Sequence, residues 1–390
     1  MPDPSPSRRK THIPLQHPPF ERIALILQGG GALGAYQAGV YEALAEADLH
    51  PDWVAGISIG AINAALIAGN PPEDRVARLR EFWETVTTPP LSAPYLAGIE
   101  LRDELSHRLV NQARAFGILF GGAPGFFALR VPPPYLYPRG SPEALSWYDV
   151  TPLKATLGRL VDFDRINADK PHFSVGAVNV RTGNFVYFDS TTHQIGPEHV
   201  LASGALPPGF PAVEIDGEHY WDGGLVSNTP LQWVLDSRPR QDTLVFQIDL
   251  WNARGELPRD LIETELRQKE IRFSSRTRAA TDQFKLQQLM RRATAKLLRQ
   301  LPAELRETPE ARRLAAEADE KVYNIIQLIY HALNYEGTSK DYEFSRSTMQ
   351  EHWSAGYHDA VRTLRHPEVL QRSEGIDGVF TFDLARDGRD

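Results

Sequence analysis

The chain has 390 residues and no cysteine, which excludes disulfides, thiolate nucleophiles, zinc–thiolate sites and cysteine-ligated iron–sulfur clusters. No apolar run reaches the roughly 18 residues that a membrane-spanning helix needs. Residues 1–20 (MPDPSPSRRKTHIPLQHPPF) are proline-rich, carry the basic cluster Arg8-Arg9-Lys10, and lack the apolar stretch of a signal peptide. They read as a disordered leader, and the protein as cytoplasmic, with any membrane contact peripheral. An excess of positive charge is also missing. The 42 Lys plus Arg against 50 Asp plus Glu give a net charge of -8, which argues against a protein that coats nucleic acid. The histidines form no HExxH spacing; His193/His199 and His352/His358 are each six apart, so neither pair shares a helical face, and no metal is expected. There is no GxxxxGK[ST] loop for a nucleoside triphosphate, and no internal repeat.

What is present is ordinary globular material, 42% hydrophobic and 24% charged. The length fits one large domain with an extension, or two domains. RIALILQ (Arg22 to Gln28) reads as a buried strand running into three glycines. A helix follows in ALGAYQAGVYEALAEA, with Leu33, Tyr36, Val40 and Leu44 on its apolar face and Glu42 and Glu46 free to face solvent. The run WVA (Trp53 to Ala55), the turn GISIG and the helix AINAALIAG repeat the pattern at once. Strand, helix, strand, helix predicts a mainly parallel α/β sheet with crossover connections. HFSVGAVNV and FVYFDS, joined at Thr182-Gly183-Asn184, predict paired strands, and Asp216-Gly217 predicts a two-residue hairpin turn between VEI and HYW. LVFQIDL (Leu244 to Leu250) is expected to be the last core strand. Beyond about Leu257 the chain turns charged and helical, and Leu314, Ala318, Val322, Ile325, Ile329 and Leu333 keep a helical stripe. Its arginines, interspersed with acids, read as a solvated face.

Residues 87–149 break the pattern with PPLSAP, FGGAPGFF and VPPPYLYPRGSP. Clustered Pro and Gly forbid a continuous helix there, yet Phe116, Phe126, Phe127, Tyr135 and Tyr137 need somewhere to pack. One reading is a satellite core under a long loop; the other is a cap over an apolar substrate site.

Three short motifs carry chemistry. Gly29-Gly30-Gly31-Ala32-Leu33-Gly34, between strand and helix, satisfies G-x-G-x-x-G and has three readings: a dinucleotide cradle with Asp48 or Asp52 as the ribose acid, an anion-stabilising backbone loop, or a plain turn. Gly56-Ile57-Ser58-Ile59-Gly60 has the form of a nucleophile elbow, in which Gly56 and Gly60 let strand and helix approach while Ser58 projects; its bland counterpart is a turn with an N-capping serine. Asp222-Gly223-Gly224 is by itself a turn signal. Together with Ser58, however, Asp222 is a candidate base, and the apolar neighbours Tyr220, Trp221 and Leu225 would raise its basicity by desolvation.

The ordered set QGGGALGAYQAGVYEAL, GISIGAINAALIAG, ASGALPPGFPAV and YWDGGLVSNTPL resembles the patatin-like phospholipase family over roughly residues 21–250. The resemblance implies a three-layer α/β/α fold with a C-terminal, mostly helical extension over 251–390. It implies a serine acyl-ester hydrolase of lipase or phospholipase type, acting on lipid esters without a cofactor or metal. Ser58 would be the nucleophile, Asp222 the general base, and Gly29, Gly30 and Gly31 the oxyanion hole; Gly34, Gly56, Gly60, Gly223 and Gly224 would shape the motifs, and ASGALP would be structural. Many members carry a basic residue in the glycine loop where this chain has Leu33, which leaves neutral glycerides, short-chain esters and hydroxyalkanoate esters open as substrates. The other classes that the residues leave open are a dinucleotide-dependent oxidoreductase and a non-catalytic lipid-binding module. Oligomeric state is not legible.

Overall fold

Strand β1 (Arg22–Leu27) has five of its six residues buried and shows no polar alternation, as expected of a parallel strand covered on both faces. Ile23, Leu25 and Leu27 enter one core cluster, whereas Ala24 and Ile26 enter another on the opposite face. Those two clusters are the two interfaces of a three-layer α/β/α sandwich. The computed structural model describes residues 12–14, 16–88, 115, 117–168, 170–274, 277–331 and 339–384. The Arg8-Arg9-Lys10 cluster, PPLSAP, Phe116 and Leu333 lie outside the described residues. Within the expected leader, His12 is buried and packs edge-on to Tyr357.

The main helices are α1 (Ala35–Glu46), α2 (Ile59–Ala68), α3 (Pro72–Val86), α4 (Thr151–Leu160), α5 (Pro197–Ser203), α6 (Leu261–Phe273), α7 (Thr277–Gln300), α8 (Pro309–Glu317) and α9 (Arg346–Leu364). The remaining main strands are β2 (Trp53–Gly56), β3 (His172–Asn179), β4 (Phe185–Asp189), β5 (Val213–Ile215), β6 (Glu218–Asp222), β7 (Thr243–Asp249), β8 (Tyr323–Ile329) and β9 (Val379–Phe382). The nine form one sheet in the order β9-β8-β7-β1-β2-β3-β6-β5, with β4 also paired to β3. From β9 to β3 every pairing is parallel, while β4, β5 and β6 join antiparallel. The expected turn at Asp216-Gly217 is present, both residues at positive φ and Ile215 opposite Glu218, the backbone that a two-residue hairpin demands.

Two expectations fail. β7 is not the last core strand, because β8 pairs with it in parallel and β9 with β8. The helical stripe predicted over 310–335 breaks in two: Leu314 belongs to α8, whereas Val322 is buried just before β8 and Ile325 and Ile329 lie within it. A central strand buried on both faces has no period-2 signature, and its apolar residues matched helical spacing by coincidence. Glu42 and Glu46 are partly open to solvent, at 24% and 27% side-chain exposure. Helix α9 covers that side of α1, so that Trp353 Nε1 donates to Glu42 and Tyr357 OH to Glu46 at 2.8 Å. The two helices approach closely at Gly39 and Gly356: a Cβ on Gly39 would lie 1.9 Å from the Trp353 carbonyl oxygen, and one on Gly356 2.0 Å from that of Tyr36.

Of the 87–149 insertion, residues 87, 88, 115 and 117–149 are described. Phe126 and Phe127 are buried in the main core, whereas Val131, Tyr135, Leu136 and Leu145 are exposed. Among the described residues no helix is long and apolar enough to cross a membrane.

Candidate active site

The glycine loop leaves the C-terminal end of β1, the GISIG turn leaves that of its neighbour β2, and Leu27 lies opposite Gly56 in register. Parallel sheets bind ligands beyond the carboxyl ends of their strands. Asp222 arrives from the other side of β3, as the last residue of β6 and opposite Ala177. Three motifs separated by up to two hundred residues thus meet at one edge of the sheet.

Ser58 holds φ 55° and ψ -123°, a left-handed backbone that non-glycine residues rarely adopt. The turn is possible because its flanking glycines touch: a Cβ on Gly56 would sit 2.3 Å from the Gly60 carbonyl oxygen. Ser58 occupies the N-cap position of α2, but its side chain makes no capping bond. The hydroxyl instead lies beside the Asp222 carboxylate and acts on its acidity, and the Ser58 N–H donates to Ser203 Oγ at 3.0 Å. Ser203 lies in the ASGALP stretch, whose structural role is therefore to fix the elbow's backbone.

Asp222 is 2% exposed. Burial in an apolar surround pushes its carboxyl up to about 7, against the opposing pull of hydrogen bonds from Ser58 and from the Gly224 N–H at 2.7 Å.

The glycine loop is held from outside itself. Gly29 donates to the Asn228 carbonyl at 3.3 Å, and its own carbonyl accepts from Asn228 Nδ2 at 3.0 Å and Trp251 Nε1 at 2.9 Å. Ala32 N–H donates to the Asp341 carbonyl at 2.8 Å. Among the described residues none accepts from the Gly30 or Gly31 N–H. The acids that a dinucleotide site would require are elsewhere: Asp52 accepts from Ile23 N–H at the opposite end of β1, and Asp48 is exposed beyond the far end of α1.

These groups border a cavity of about 300 Å³. Its walls are Phe126, Phe127 and Tyr148 from the insertion, Phe210 from the ASGALP region, Leu153, and Phe344 from the C-terminal extension. Phe210 meets Phe127 at 5.4 Å and Tyr148 at 6.0 Å between ring centroids. Among the described lining residues the acidic side chains Asp222 and Asp341 are the only ionisable Asp, Glu, Lys, Arg or His.

A second Ser/His/Asp group sits near the other end of the strands. Asp189 accepts from Ser174 Oγ at 2.6 Å and lies 2.7 Å from His172 Nε2. The carboxylate separates the two, so the imidazole cannot take the serine's proton as it would in a triad. Hydrogen bonds hold the Asp189 carboxyl well below its usual range despite partial burial, as in a structural buttress. Among the described residues no three His, Asp or Glu side chains gather as a metal site.

The fold brings together Ser58, Asp222 and the glycines named from the sequence, and adds Asn228, Trp251 and Asp341, which were not named. Ser203 lies in ASGALP and Asn228 in the VSNTP run that follows the DGG motif, whereas Trp251 and Asp341 carry no local signal, since only the fold brings them to the loop.

A family model for patatin-like phospholipase matches residues 25–235, more than half of the 390-residue chain. The chain belongs to the patatin-like phospholipase family. A second model, described as patatin phospholipase, matches residues 271–375, so the C-terminal extension also has family relatives. Patatin-like phospholipase domain-containing protein 7 of Rattus norvegicus is 40% identical over 67 residues, 17% of this chain and 5% of that protein. Lysophospholipase nte1 of Aspergillus terreus is 52% identical over 46 residues, 12% of this chain and 3% of that one. The matches therefore span a small fraction of those much longer relatives. The crystal structure of VipD from Legionella pneumophila aligns with 88% of this chain and 67% of its own at 14% identity, with a TM-score of 0.39. Family membership supports lipid acyl hydrolase activity.

Proposed function

We propose that this chain hydrolyses acyl esters of lipids with Ser58 as nucleophile and Asp222 as general base. The observation that carries the reading is a strained, partly exposed serine beside a buried carboxylate, both lining one apolar cavity. Ser58 Oγ attacks the ester carbonyl while Asp222 takes its proton; collapse of the tetrahedral intermediate passes that proton from Asp222 to the departing alcohol and leaves an acyl-Ser58 ester. Water then attacks that ester, giving a proton to the regenerated carboxylate, which returns it to Ser58 Oγ as the fatty acid leaves. The Gly30 and Gly31 N–H groups are the open donors for the oxyanion, and the Gly29 peptide, already bonded to Asn228 and Trp251, fixes the loop's direction.

The absence of any Lys or Arg among the described lining residues favours neutral acyl esters over anionic head groups. Fatty-acid release from dispersed diacylglycerol, phospholipid vesicles and p-nitrophenyl butyrate tests the reading. Release from at least one, fastest from the neutral lipid, is expected; no release from any of the three by folded protein contradicts it.

Lipid access would come through the insertion. Tyr135 and Leu136 are 74% and 66% exposed in the same segment that supplies Tyr148 to the cavity wall. Burying each side chain in a lipid surface is worth about 1.5–3 kcal/mol. The double substitution Tyr135→Ser/Leu136→Ser is expected to lower hydrolysis at vesicles by about 10-fold or more and to leave p-nitrophenyl butyrate turnover unchanged. Equal loss on both substrates would contradict a docking role.

A further inference from the structure

Two consecutive residues of α6 and two from the segment before α9 form a pair of ion pairs. Lys269 Nζ lies 2.5 Å from Asp341 Oδ1, and Lys340 Nζ lies 2.7 Å from Glu270 Oε1. The charges are arranged reciprocally, Lys-Glu against Lys-Asp, so each dipeptide supplies one cation and one anion. Lys340 is 2% exposed and Glu270 16% exposed in their side chains, and at that burial an ion pair with good geometry resists screening and is costly to break. Both ammonium groups also stand over the Trp251 ring, 5.7 and 5.1 Å from its centroid.

What this double pair grips is the glycine loop. The Asp341 carbonyl accepts from Ala32 N–H at 2.8 Å. Gly31, with φ +56°, presses so closely on that carbonyl that a Cβ would come within 2.0 Å of it. Trp251, beneath both ammonium groups, donates to the Gly29 carbonyl. The Phe273 carbonyl at the end of α6 accepts from Asn228 Nδ2 at 2.8 Å, and Asn228 in turn binds the Gly29 peptide on both sides. Among the described residues, every hydrogen bond that the Gly29–Ala32 backbone makes outside the loop thus leads to residues beyond 225, and the α6–Asp341 junction connects them.

We infer that the C-terminal extension sets the oxyanion loop of the catalytic domain, with Lys269, Glu270 and Lys340 as positioning residues that act through Asp341 and Trp251. This rests on the ester-hydrolase reading for its catalytic consequence but not for its structural one. Lys340 and Glu270 do not line the cavity, so their removal touches no substrate directly. An oxyanion donor matters in the transition state far more than in the bound substrate, so a displaced loop lowers kcat rather than raising KM; a misplacement on the ångström scale costs about 10²-fold.

The test uses the full chain with Lys340→Met and Lys340→Arg. Two readouts are taken: ester kinetics, and deuterium exchange of the backbone amides in residues 28–36. The inference predicts that Lys340→Met lowers kcat by about 10- to 100-fold with KM within about twofold, that inhibition by a trifluoromethyl ketone weakens by the same factor as kcat, and that Lys340→Arg restores most of both. It also predicts faster exchange in residues 28–36 of Lys340→Met, with exchange in β2 and α2 unchanged. If the wild type hydrolyses nothing but exchange responds as predicted, the hydrolase reading fails and the positioning role stands. Unchanged exchange in residues 28–36 overturns the inference, as does a uniform rise in exchange across the chain, which would mark general destabilisation.

Discussion

Replacing Ser58 with alanine is expected to lower ester turnover by at least about 10⁴-fold, because removal of a covalent nucleophile leaves only the oxyanion donors and binding to assist water. The fold should survive. The Ser58 hydroxyl makes no capping bond to α2, and the backbone bond from Ser58 N–H to Ser203 Oγ at 3.0 Å is kept. Near-ultraviolet circular dichroism and a melting curve check the second half of this expectation, and steady-state kinetics the first. Turnover within about tenfold of wild type by pure Ser58→Ala would remove the nucleophile assignment.

Asp222→Asn is expected to separate activity from stability. As the proposed base, Asp222 acts in its ionised form, so wild-type kcat/KM should fall on the acid side with a midpoint near pH 7, where burial places this carboxyl. The amide cannot accept the proton, and its loss should cost about 10²- to 10⁴-fold. Stability should move the other way. The folded carboxyl keeps its proton up to about 7, whereas an unfolded one releases it near about 3.9. The folded state therefore binds more protons between those values, stability declines as pH rises through that window, and the penalty is complete above it. Asparagine carries no such penalty. Urea unfolding should show Asp222→Asn more stable than wild type at pH 8, on the order of a few kcal/mol, with the advantage vanishing toward pH 4. A variant less stable than wild type at pH 8 would contradict a carboxyl whose ionisation burial disfavours.

How far the sequence revealed this site depends on the range of the contacts involved. The elbow is local: Gly56 and Gly60 flank Ser58 between a short apolar run and a small-residue helix, and five residues hold the whole turn. The Asp216-Gly217 hairpin is local in the same sense, and it delivers Asp222 a few residues later. β8 was misread because Val322, Ile325 and Ile329 sit at helical spacing in a strand buried on both faces, where composition and length are the better guides. The environment of α1 was legible only in part, for a non-local reason. Its polar face is satisfied by Trp353 and Tyr357, three hundred residues away, and no pattern within α1 announces that partner. The same holds for the glycine loop. GGGALG named the backbone that mattered, but three readings stayed open until the fold placed Ser58 beside it and Asp48 and Asp52 away from it.

The insertion illustrates a further limit. Phe126 and Phe127 were flagged as needing a place to pack, and their place is both core and cavity wall. Composition cannot distinguish those roles, because an acyl-binding wall and a hydrophobic core are built from the same side chains.

The most direct measurement is mass-spectrometric mapping of the covalent adduct formed with a fluorophosphonate probe, run on wild type, Ser58→Ala and Asp222→Asn. The account predicts a single adduct on Ser58 in wild type, none in Ser58→Ala, and much slower labelling in Asp222→Asn. An adduct on another serine, or none on folded wild type with or without lipid vesicles, would contradict it.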